Sequence, residues 1–141
     1  MKIFLDDDAE YRHPDNDTWT RAFTVEQAKD LFLKNPDDVD YLSLDNDLGF
    51  EEEGKDFLNW LEYEYHSGTF VNFPMVRIHS ANVSARDRMA ATLNSIEKYT
   101  IYCKKCPTSF SSIAWGNCPK CGEGYEDWSG TSILQSGNED S

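Results

Sequence analysis

The stretch VDYLSLDNDLG, Val39 to Gly49, decides the fold. The apolar positions from Val39 to Asp45 fit a buried strand, and this strand runs out into Asp45 and Asp47 just ahead of a glycine. Two carboxylates so placed repel each other, and burying them is costly unless something neutralises the pair.

The same signature recurs on either side. Lys2 to Leu5 reads KIFL and ends abruptly in Asp6, Asp7 and Asp8, as a strand buried on both faces does when it empties into a polar rim. Met75 to Ile78 follows Pro74 as a further strand and runs into His79, Ser80, Ala81 and Asn82. Thr18 to Phe23 is read as a second strand, after a polar loop from Ala9 to Asp17 that carries Arg12, and Tyr99 to Tyr102 as a last short one.

Helices fill the gaps. Thr24 and Gln27 make a capping box ahead of Val25, Ala28, Leu31 and Phe32, a helix that stops near Asn35-Pro36. Phe57, Trp60, Leu61 and Tyr65 form an apolar stripe over Asp56 to His66, and Met89, Leu93 and Ile96 give a third helix its buried face, with Ser84 and Asp87 as its capping box. The element order predicts an α/β domain with a mostly parallel sheet flanked by helices. Ligands of such sheets bind beyond the carboxyl ends of the strands, where Asp6 to Asp8, Asp45 with Asp47, and His79 with Ser80 and Asn82 converge.

Composition limits what that crevice can hold. The chain has 141 residues and a net charge of −13, from 26 acidic against 13 basic side chains, which argues against broad neutralisation of a nucleic acid backbone. A nucleotide ligand has to come through a metal or a few local cations. No apolar run reaches membrane-spanning length and the start MKIFLDDD lacks the regions of a secretory signal, so no membrane partner is expected and the expected compartment is the cytoplasm.

Converging carboxylates call for a hard cation, and oxygen ligands suit Mg²⁺ or Mn²⁺, with Asp6, Asp7 and Asp45 as the ligand set. His79 beside this rim is a candidate general acid, since neighbouring carboxylates favour a charged imidazole. The hydroxyl of Ser80 and the amide of Asn82 can orient a phosphoryl oxygen, and the planar fork of Arg12 matches two such oxygens at once.

The strings FLDDD with Arg12, SLDNDLG, GKDFLNWL at Gly54 to Leu61, and HSANVSARDRM at His79 to Met89 are similar to the cyclic-phosphate processing receiver-like family, a branch of the response-regulator receiver fold. The resemblance covers about Met1 to Tyr102. It implies a receiver-like, flavodoxin-like sheet and a metal-dependent phosphoesterase acting on a cyclic phosphate of a small nucleotide or an RNA end. In that reading Asp6, Asp7 and Asp45 bind the metal, water or Asp45 itself attacks phosphorus, and His79 protonates the departing oxygen. Arg12, Ser80 and Asn82 steady the phosphate, while Asp47 orients the loop or a bound water. The chain departs from relatives in carrying SAR after the HSAN motif where a glycine is common, and in replacing the first receiver helix by the Asp8 to Asp17 loop. The lysine expected at the end of a signalling receiver's last strand is not cleanly present; Lys104 and Lys105 lie nearby. This favours hydrolysis over a phosphorylation switch.

Cys103-Lys-Lys-Cys106 and Cys118-Pro-Lys-Cys121, the second followed by Gly122, are two knuckles with the spacing of a zinc ribbon, so structural Zn²⁺ is expected at Cys103, Cys106, Cys118 and Cys121. Phe110, Ile113 and Trp115 are the expected core of that module, and Lys104, Lys105 and Lys120 give it a basic patch suited to nucleic acid or protein contact, with a plain structural cap on the sheet edge as the equal alternative. The expected organisation is a receiver-like domain over 1–102, a ribbon over 103–128 whose Trp128 packs back on the domain, and a polar tail over 129–141. The rival functions are a non-catalytic receiver and a protein that binds a nucleotide signal or a partner protein without turnover. Short length, acidity and an appended zinc module suit a bacteriophage protein, which would place it in the host cytoplasm.

Overall fold

The computed structural model describes residues 1–7, 19–48, 52–80, 82–103, 105–106 and 108–122. Two compact units make up the chain, Met1–Leu61 with Pro74–Ala90, and Glu62–Phe73 with Ala91–Ser141.

In the first unit, β1 (Lys2–Leu5), β2 (Trp19–Ala22), β3 (Tyr41–Leu44) and β4 (Met75–Ile78) form a wholly parallel sheet in the order β2-β1-β3-β4. Alternation along the strands sorts the side chains by face. Ile3 and Leu5 of β1 share one face with Leu42 and Leu44 of β3, and all four are buried. The other face is polar and aromatic: Trp19, Lys2, Tyr41 and Met75 align in one row, then Arg21, Phe4, Ser43 and Arg77 in the next.

Helix α1 (Val25–Lys34) packs on β1 and β2. Its start follows the sequence: the Thr24 hydroxyl accepts the Gln27 amide at 3.1 Å, and the Gln27 side chain accepts the amide of Phe23 at 2.8 Å, one residue ahead of the usual capping-box donor. The connections from β2 to β3 and from β3 to β4 run the same way across the sheet. Right-handed crossovers therefore put α1 and the start of α2 (Gly54–His66) on one side, over the aliphatic face. Phe32 and Phe57 of these helices meet Trp60 at ring distances of 6.0 Å and 5.8 Å. Helix α3 (Val83–Lys98) opens differently from the expectation. Ser84 lies inside its first turn, and the Asn82 side chain caps it instead, accepting the Ala85 amide at 3.0 Å.

The last predicted strand also needs correction. β5 (Thr100–Cys103) does not join the parallel sheet; it pairs antiparallel with β6 (Thr108–Ser111), a strand that sequence reading missed. A short knuckle between two strands favours a local antiparallel partner over a distant parallel one. In this second unit Phe110 is buried with Cys103 and Cys118, and Trp115, Val71 and Ile101 pack against them. Ile113, expected in that core, is exposed. Tyr65 is fully buried among Phe70 and Phe73, and its hydroxyl lies 2.9 Å from the Thr100 hydroxyl, which itself donates to the Ile96 carbonyl. Trp128, Lys104 and the tail lie outside the described residues.

Candidate functional site

Backbone hydrogen bonds carry the parallel sheet one step past its last paired residues. The amide of Asp6 donates to Ala22, that of Asp45 to Leu5 and that of His79 to Leu44, at 2.9–3.0 Å. Asp6, Asp45 and His79 therefore form a third row on the polar face, at the carboxyl ends of three adjacent strands. One oxygen each of Asp6, Asp7 and Asp45 lies within 4.8 Å of the others. Asp6 is buried and Asp7 exposed. Burial, then the charge of Asp6, pushes the Asp45 carboxyl up to about 6, against the pull of the Asn46 and Asp47 amides. A hard divalent cation with oxygen ligands removes that repulsion, and this donor set fits one.

His79 is held on three sides. Its Nε2 is 3.0 Å from an Asp6 carboxylate oxygen, its Nδ1 is 2.8 Å from the Ser43 hydroxyl, and its ring stacks on Phe4 at 4.7 Å between centroids. An ionised Asp6 only accepts, so Nε2 carries the proton directed at it.

The turn after Asp45 is tied to the two helices that follow. Asn46 is buried; its carbonyl accepts the Gly54 amide at 3.0 Å and its side-chain oxygen the Lys55 amide at 3.1 Å, which closes the start of α2. Its side-chain nitrogen donates to Asp47 at 3.1 Å, and the same Asp47 oxygen lies 3.4 Å from the Asn82 side-chain nitrogen. Only glycine fits at 54, because a Cβ there would collide with the Asp45 carbonyl oxygen. Ser80 is buried and its hydroxyl accepts the Asn82 amide at 3.1 Å.

The sequence-predicted set thus divides. Asp6, Asp7, Asp45 and His79 come together, Asp47 and Asn82 meet beside them, Ser80 serves the loop leading to Asn82, and Arg12 lies outside the described residues. Ser43, Phe4, Asn46 and Gly54 were missed as site residues. The available signal for Ser43 was a hydroxyl inside an otherwise apolar strand, and for Asn46 an amide between two aspartates.

In the second unit all four cysteine sulfurs lie within 4.8 Å of one another, with Cys106 and Cys118 3.1 Å apart and Cys103 and Cys121 3.6 Å apart. No disulfide joins them. Burial pushes the Cys118 thiol up, but the amides of Cys121 and Lys120 and its thiol neighbours outweigh burial and bring it down to about 6. Its hydrogen bond to Cys118 raises Cys106. Gly122 follows at φ +76°, a left-handed turn that brings its amide 2.8 Å from the Cys118 carbonyl. Four sulfur donors at this closeness are a donor set for tetrahedral zinc.

No curated protein and no solved structure matches the chain. The family model described as the cyclic-phosphate processing receiver domain matches residues 1–95, which include the whole parallel sheet and its acidic row. With that match over most of its length, the chain belongs to the cyclic-phosphate processing receiver domain family.

Proposed function

We propose that the chain is a divalent-metal-dependent phosphoesterase that hydrolyses a cyclic phosphate on a nucleotide or an RNA end. The observation that carries this reading is the cluster itself: the carboxylates of Asp6, Asp7 and Asp45 and the His79 imidazole brought together at the ends of adjacent parallel strands, in a chain of this family. Asp6, Asp7 and Asp45 would hold Mg²⁺ or Mn²⁺, whose charge supplies electrophilic assistance at the phosphate. Water, or Asp45 itself, forms the new bond to phosphorus as one ring P–O bond breaks. The Nε2 proton of His79 would leave its hydrogen bond with Asp6 for the departing oxygen, the proton released by the attacking water returns to the imidazole, and a phosphomonoester with a free hydroxyl results after hydrolysis. Ser43 and Phe4 hold the imidazole beside the carboxylates, Asn82 and Ser80 shape the phosphate side, and Arg12 is assigned to the phosphoryl oxygens.

A phosphorylation switch gains no support from the sheet, since β5 pairs with β6 and the parallel sheet has four strands among the described residues. A second reading, a protein that retains a nucleotide without turnover, draws on His79, both of whose ring nitrogens are already engaged. Incubating the protein with a panel of cyclic phosphates, with and without Mg²⁺ or Mn²⁺, and following product by chromatography separates the two. Metal-dependent ring opening supports the hydrolase. Tight retention of one nucleotide with no product supports the binder. For the cysteine cluster we propose structural zinc, with no open position for chemistry; metal analysis at one zinc per chain is the check.

A further inference from the structure

We propose that the outer edge of β4 is a docking site for an extended segment of another protein, which adds to the parallel sheet as a fifth strand and sets a carboxylate beside Arg77. Such docking requires no hydrolysis at the acidic row.

The backbone makes the first case. The sheet ends at β4, because β5, the strand expected beyond it, pairs with β6. The amides of Met75 and His79 donate to Asp40 and Leu44 at 2.9 Å, so residues 75, 77 and 79 turn their peptide groups toward β3. Alternation turns the amides and carbonyls of Val76 and Ile78 outward, and no described strand meets them there. Unmet donors and acceptors along a strand edge are a template for another strand.

The side chains select the occupant. Val76 and Ile78 align with Leu42 and Leu44 and are half-buried where those two are buried, so apolar residues on an incoming segment would extend the aliphatic layer. On the polar face Met75 is 67% exposed, and the exposed Arg77 meets no carboxylate among the described residues, in a chain with 26 acidic side chains against 13 basic ones. Arg21, in the same row on β2, is placed differently: its guanidinium lies over the Phe4 and Phe23 rings at 4.7 Å and 5.5 Å. The fitting segment therefore alternates, with apolar residues against Val76 and Ile78, a carboxylate opposite Arg77 and a long apolar side chain beside Met75. A second copy of this chain fits less well, since β4 brings no carboxylate of its own and both copies carry the same net charge of −13.

The test adds a synthetic heptapeptide, Thr-Val-Leu-Val-Glu-Val-Thr, or its counterpart with glutamine for glutamate, to the intact protein at physiological salt. Amide shifts in a two-dimensional NMR spectrum and hydrogen exchange are the readouts. In the free protein the Val76 and Ile78 amides should exchange faster than that of Arg77, which faces β3. At millimolar concentration the glutamate peptide should shift and protect both, and bind about threefold more tightly than the glutamine peptide. Arg77→Gln should erase that preference. Val76→Pro, which removes an outward amide, should weaken both peptides about fivefold, with circular dichroism verifying the fold. Val76 and Ile78 amides already protected in the free protein mean that the chain caps this edge itself, which overturns the docking site, as does a peptide that leaves both amides unmoved. Tighter binding in Arg77→Gln makes the arginine a guard against strand pairing and overturns it too.

Discussion

The acidic row and the cysteine cluster are both metal-type donor sets, but they are built in opposite ways. Asp6, Asp45 and His79 extend strands whose aliphatic face is already buried under helices, so the scaffold stands without any ion and the carboxylates strain against each other. Cys103 and Cys106 sit on a two-stranded hairpin and Cys118 and Cys121 on the turns that follow it, around a core of a few side chains of which the donors themselves are part. A metal at the first site would be a working part; at the second it would be a structural one.

The largest effect expected from this contrast is on chelation. Stripping zinc should unfold the β5–β6 hairpin, since binding at such clusters contributes about 10 kcal/mol of folding energy, while the amides of β1 to β4 keep their dispersion in a two-dimensional NMR spectrum. Hairpin resonances that survive complete zinc removal would erase the contrast.

Next comes Asp45→Asn, expected to lower metal-dependent turnover about a thousandfold. It should also stabilise the metal-free protein by about 1 kcal/mol, because the raised carboxyl is only partly shielded from water. The folded state holds the Asp45 proton more tightly than the unfolded chain does, so metal-free stability should fall as pH rises from about 4 to about 6, and the variant should lack that fall. Urea titrations across that range measure both.

Gly54→Ala should cost about 2 kcal/mol by driving the start of α2 away from the Asp45 carbonyl, and should weaken Mn²⁺ affinity in the same preparation. Ser43→Ala removes one hydrogen bond from His79 and should cost about 1 kcal/mol, with kcat falling more than KM rises.

The smallest effect belongs to His66 in the second unit. Ser111 accepts the Ile113 and Ala114 amides at its hydroxyl, which leaves the hydroxyl proton for His66 Nδ1 at 2.6 Å and requires that nitrogen bare. Burial holds the imidazole below its ordinary value. The unfolded chain then binds the extra proton more readily, so hairpin stability should decline gently as pH drops below about 6.5. His66→Gln, which keeps a neutral acceptor, should flatten that decline in a thermal melt series.

Much of this was legible because strand ends and helix faces leave local marks. KIFL before three aspartates, YLSL before Asp45 and MVRI before His79 gave three strands and their polar tips, and the Thr24 cap fixed the first helix almost to the residue. Other features depend on partners distant in sequence. Nothing local says that Ser43 and Phe4 grip His79, 36 and 75 residues away, or that Asn82 rather than Ser84 caps α3. Tyr99 to Tyr102 looked like one more strand of the parallel sheet because its composition is that of any short strand; only Thr108 to Ser111 alongside makes β5 half of a hairpin.

Asn46 links the beginnings of two helices through a single carboxylate: it seals Lys55 on one side and, by way of Asp47, touches Asn82 on the other. Whatever draws Asp47 toward itself must tug on both seals at once. Occupancy of the crevice would then be written into hydrogen exchange at Lys55 and Ala85, giving a reporter of ligand arrival that requires no chemistry to occur.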